Sequence, residues 1–184
     1  MAELEFGDLV LCAGTVLRST LEERVAAASD AGFRGISLFA RDYLGARAAG
    51  RSDADLRALL DDHGIRIAEL DPLMNWVPGL ELSASASADG REFFATGERD
   101  FFAIADAVGA RSINAVLFTE RRFEQGALIE AFAGLCDRAR EHGLLVHLEF
   151  MPFSEVRDVR VAEQVVAGAG RENGGILFDT WHHF

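Results

Sequence analysis

Two short apolar runs in this chain end on carboxylates. LLVHLEF places Glu149 at the end of one, and GGILFDTWHHF places Asp179 at the end of the other. The two acids are 30 residues apart, the length of one strand–helix–strand unit. In neighbouring parallel strands, about 4.8 Å apart, both side chains would enter one small volume. Like charges held that close require a cation, a shared proton or open water. A divalent ion is the simplest answer, and oxygen ligands suit Mg, Mn or Co. His182 follows Asp179 by three residues and can reach the same rim, where an imidazole binds metal or hydrogen-bonds a substrate hydroxyl. Each residue has a plainer reading: Glu149 as partner of a rim arginine, Asp179 as a helix N-cap, His182 as an exposed loop residue. Their joint placement at matching strand ends favours the metal.

Other polar residues are weaker candidates. Glu69 closes an apolar run and Asn114 lies within another, so either could contact a substrate at the same face. His147 shares strand parity with Glu149 and is expected one layer deeper, as a hydrogen-bonded core histidine, with support of the glutamate as the alternative. His63 and His142 precede glycines that end helices, where a cation complements the helix dipole, and read as structural. His183 faces a different side from His182.

These residues need a scaffold, and the chain repeats one. AGFRGISLF, HGIRIAELD, VGARSINAV and HGLLVHLEF each carry a glycine followed by an apolar strand, and ENGGILFDT repeats the pattern with Asn173-Gly174-Gly175. Glycine there closes the preceding helix in the left-handed conformation. Strands are expected near Asp8–Ala13, Gly35–Leu38, Arg66–Leu70, Ser112–Leu117, Leu144–Glu149 and Gly175–Asp179, mostly continuous apolar runs of the kind parallel strands show when helices cover them. Five helices should lie between them. Thr20 with Glu23 and Ser52 with Asp55 mark two starts, and Leu128, Phe132, Leu135 and Ala139 mark one inner face. The class is α/β. The absence of a Gly-x-Gly-x-x-Gly loop after any strand argues against a dinucleotide-binding sheet and for a (β/α)8 TIM-barrel type truncated to about six βα units. At 184 residues this is one incomplete domain, since a full barrel takes about 250. One long connection, Asp71 to Phe94, reads as a substrate-covering loop with Trp76 as an apolar wall.

Composition narrows the function. A formal net charge of −12 repels phosphate backbones, so nucleic acid is not an expected partner and a small molecule or cation is. No apolar stretch is long enough for a membrane span, and MAELEFGD lacks the pattern of a signal peptide. Cys12 and Cys136 read as reduced core thiols, which with the missing leader suggests a cytoplasmic setting.

With Glu149 and Asp179-x-x-His182 in place, the sequence resembles the sugar phosphate isomerase/epimerase group of the xylose isomerase-like TIM barrels. Tagatose-3-epimerase-like, inositol-catabolic and hydroxypyruvate isomerase proteins belong to it, with endonuclease IV a more distant relation. HLEFMPF and FDTWHHF carry the resemblance most specifically. It implies that Glu149 is a metal ligand doubling as acid/base, that Asp179 is a second ligand, and that His182 contacts substrate. The ion would be Mn, Mg, Co or Zn. The implied activity is isomerisation or epimerisation of a small sugar, keto-polyol or related hydroxy-ketone through an enediolate. A keto-polyol dehydratase on the same scaffold is the nearest alternative, and a non-catalytic barrel fragment acting as a binding module is another. A nuclease would need more than five histidines and a basic groove. The family pattern also requires a His from a seventh strand and a Glu from an eighth, and this sequence has neither. The expectation is therefore three-quarters of a barrel, poorly active alone, with open edge strands that favour a homo-oligomer or a completing partner chain.

Overall fold

The computed structural model describes residues 3–119 and 121–183. Local chemistry sets the helix boundaries. Helix α1 (Leu21–Asp30) opens on a capping box: the Thr20 hydroxyl accepts the Glu23 N–H at 3.2 Å while the Glu23 carboxylate accepts the Thr20 N–H at 2.9 Å. Ser52 and Asp55 do the same for α3 (Asp53–Asp62). Asp158 caps α7 (Val159–Ala169) through two backbone N–H groups. Gly109, at φ +68°, closes α5 (Glu98–Val108) in the left-handed region that a Cβ disfavours.

Between the helices lie β1 (Val10–Leu11), β2 (Gly35–Phe39), β3 (Arg66–Leu73), β4 (Ser112–Val116), β5 (Leu145–Glu149) and β6 (Gly174–Leu177). All pair in parallel, in the order β1-β2-β3-β4-β5-β6. A doubly wound sheet would reverse its strand order part-way, whereas barrel staves follow chain order. Six βα units of a TIM-barrel-type fold are therefore present, and among the described residues β1 and β6 remain edges.

The core lies between the sheet's outer face and the helices. Every residue of β2 and β4 is buried. Phe101 and Ile104 on α5, and Phe132 and Leu135 on α6 (Gln125–Glu141), are shut against it. Cys136 lies there too, and burial pushes its thiol up to about 11, which leaves it protonated and unreactive.

Several expectations need correction. β1 spans two residues instead of six, and Cys12 beyond it is exposed. Two helices were not expected from the sequence: α2 (Ala40–Ala48) and α4 (Ala88–Ala95), the second opened by Ser87 as its N-cap. Ala40 is the one buried residue of α2, so no apolar stripe announces that helix; an ion pair between buried Arg24 and Asp42, 2.6 Å apart, ties it to α1. The long connection after β3 is shorter than expected, because β3 continues to Leu73 and α4 occupies its far end. No helix among the described residues is long and apolar enough to cross a membrane.

Candidate metal centre

Alternation along β5 turns Leu145, His147 and Glu149 to the concave side of the sheet, and the strand ends as Glu149 reaches the mouth. Glu149 is 8% exposed. On the neighbouring stave, Asp179 lies two residues past the end of β6. Its Oδ1 accepts the Trp181 N–H at 2.7 Å and so starts a single 3₁₀ turn, Thr180–His182. The N-cap reading of Asp179 is thus correct for one oxygen. The turn brings His182 back over the mouth, with Nε2 3.4 Å from Glu149 Oε1 and 3.6 Å from Asp179 Oδ2.

One donor atom from each of Glu149, Asp179 and His182 falls within 4.8 Å of the others. Atoms bound about 2.1 Å from a tetrahedral zinc lie about 3.4 Å from one another, close to the 3.4 and 3.6 Å that separate His182 Nε2 from the two acids. Two carboxylate oxygens and one imidazole nitrogen, one of the acids buried, form a donor set that fits a divalent ion. Without an ion, burial raises the Glu149 pKa, while the Asn114 hydrogen bond and the nearby His182 act against that rise.

A second polar layer lies beneath. Asn114 on β4 donates through Nδ2 to Glu149 Oε2 at 2.6 Å and to Asp71 Oδ1 at 3.0 Å. His147 Nδ1 is 2.7 Å from Glu69 Oε2. Burial first, and then the charge of Glu69, raises the Asp71 carboxyl to about 7. These residues, with Cys12 and Ser37, line a cavity of about 760 Å³ on the concave face. Most barrels fill this space with branched apolar side chains; here its lining carries Glu69, Asp71, Glu149 and Asp179.

The structure therefore gathers Glu149, Asp179, Asn114 and Glu69 around one cavity, with His182 beside Glu149 and Asp179, and with Glu69 in the middle of β3 instead of at its end. Asn114 is 2% exposed and its N–H groups are held by carboxylates, which leaves it no free donor for a substrate. Trp76 is a correction. It is 2% exposed, bonds the Val116 carbonyl through Nε1 at 2.9 Å, and packs edge-on against Phe132 outside the sheet. It forms part of the core and does not line the mouth, because the chain after β3 turns outward there. Asp71 was missed. Its signal was its i, i+2 parity with Glu69, hidden because Asp71-Pro72 reads as the start of a loop.

The model of the xylose isomerase-like TIM barrel family matches residues 25–184. The chain belongs to that family. No curated protein matches it in sequence. Among solved xylose isomerase-like and related structures, the IolI protein with a bound zinc atom superposes with a TM-score of 0.79 at 21% identity, over 95% of this chain and 63% of that one. The probable 3-DHS dehydratase AsbF from Bacillus anthracis gives 0.68 at 18% identity, over 96% and 64%. D-psicose 3-epimerase, solved in the presence of D-fructose, gives 0.66 at 18%, over 94% and 63%. The chain thus spans less than two thirds of each of these proteins, and at such identities the likeness is one of fold.

Proposed function

We propose that this chain carries part of the active centre of a metal-dependent isomerase or epimerase acting on a small sugar, keto-polyol or related hydroxy-ketone through an enediolate. The observation that supports the reading is the convergence of Glu149, Asp179 and His182 donors within 4.8 Å at the ends of adjacent strands. Glu149 and Asp179 hold the ion and His182 contacts the substrate. The zinc of the IolI structure supports Zn as the first ion to test, ahead of Mn, Co and Mg.

When bound, the ion supplies Lewis acidity toward adjacent carbonyl and hydroxyl oxygens. Glu149, its basicity set by burial against the charge of the ion, accepts the proton from the carbon beside the carbonyl and returns it to the neighbouring atom. Delivery to the opposite face, as epimerisation requires, would need a second acid. His182 hydrogen-bonds the hydroxyl that gains or loses its proton in that exchange. The acidic lumen suits neutral polyols and disfavours anions. Among the described residues β1 and β6 are open edges, which supports association with a second copy.

A keto-polyol dehydratase is the second reading, supported by the superposition on AsbF. One experiment separates the two. The chain is incubated in D₂O with Zn, Mn, Co or Mg and a panel of ketoses and keto-polyols, and products are weighed by mass spectrometry. Deuterium uptake beside the carbonyl, abolished in Glu149→Gln, supports the isomerase. Loss of one water supports the dehydratase. Neither change, with metal bound, leaves a binding module.

A further inference from the structure

The layer beneath Glu149 has a role beyond lining the cavity, given that Glu149 binds the ion as proposed above. β4 and β5 pair with Asn114 beside His147 and Val116 beside Glu149, so the Asn114 side chain sits one step below Glu149 on the same face. From there its amide reaches sideways to Asp71 on β3 and upward to Glu149. A carboxamide has two N–H donors, and both face acidic oxygens. Turning the amide over would set its oxygen against those same carboxylates, so one orientation is favoured. Asn114 Oδ1 is buried without a hydrogen-bond partner, an unfavourable arrangement for a side chain held there only by packing.

The consequence appears at Glu149. With Oε2 held at 2.6 Å, the carboxylate cannot rotate to offer both oxygens to an ion, and Oε1 points toward His182 Nε2, 3.4 Å away. We propose that Asn114, anchored by Asp71, is a positioning residue that presents Glu149 to the divalent ion as a one-oxygen ligand. Outer partners of this kind orient ligands in metal sites generally.

The test is Zn²⁺ affinity of the chain, measured by titration calorimetry for wild type, Asn114→Leu and Asn114→Ser. Leucine keeps the bulk and loses both donors; serine is too short to reach both carboxylates, and it decides the matter if the leucine variant does not fold. Both variants should bind zinc about 10- to 100-fold more weakly with the stoichiometry unchanged. A merely structural role would lower the melting temperature of the metal-free chain and leave the affinity of the folded protein intact. Wild-type affinity in the variants overturns the positioning role alone. Failure of the wild type to bind zinc overturns the metal reading and this inference with it.

Discussion

Asp71 offers a prediction whose size follows from the structure. Its carboxyl is raised from 3.8 to about 7, first by burial and then by the charges of Glu69 and Glu149, with the Asn114 hydrogen bond opposing them. The folded chain therefore holds this proton more tightly than the unfolded chain. Stability from this group is fully present below pH 3.8, declines as pH rises toward 7, and is lost above it. A move from 3.8 to about 7 corresponds to roughly 4 kcal/mol, an upper figure because Asp71 lines an open cavity. Asp71→Asn keeps an acceptor for Asn114 and cannot ionise. Urea unfolding in the presence of a chelator, from pH 5 to pH 8, should show the variant gaining on wild type as pH rises. The gain should reach about 2–4 kcal/mol at pH 8. A pH-independent difference, or a wild type more stable at pH 8, would refute the argument that an uncompensated carboxylate is held in the lumen.

Other substitutions probe the core and the corrected residue. Trp76→Phe leaves the buried Val116 carbonyl without its partner and should cost about 1–3 kcal/mol in denaturant unfolding, with zinc affinity unchanged; a change in zinc affinity would return Trp76 to the site. Gly174→Ala sets a Cβ 3.0 Å from the Phe132 ring, 3.1 Å from Cys136 Sγ and 3.3 Å from the Arg171 carbonyl. It should destabilise by about 1–3 kcal/mol, read as a lower denaturation midpoint at constant slope.

The sequence was most legible where one interaction acts alone along the chain. Gly109, Thr20 with Glu23, and the buried runs of β2 and β4 each declare themselves through backbone sterics, a local cap or continuous apolarity. Glu149 and Asp179 could be placed together because covalent order sets stave order in a barrel, and His182 because three residues make one turn. α2 and α4 escaped because they bury almost nothing of their own, and α2 is tied down by the Arg24–Asp42 pair, a contact between residues far apart in sequence. Trp76 was misplaced because the glycine- and serine-containing stretch after it reads as a loop and says nothing of the Val116 carbonyl and Phe132 ring that receive it. Asn114 could be assigned to a face from strand parity, but the commitment of its amide to two acids from other strands is purely tertiary.

The central claim is that Glu149 and Asp179 grip one ion. Crystals of the chain soaked in zinc and measured at the zinc absorption edge test it most directly. The account predicts one anomalous peak at the mouth of the sheet, about 2.0–2.2 Å from an oxygen of each acid. A peak elsewhere, or none between the two side chains at full soaking, would contradict it.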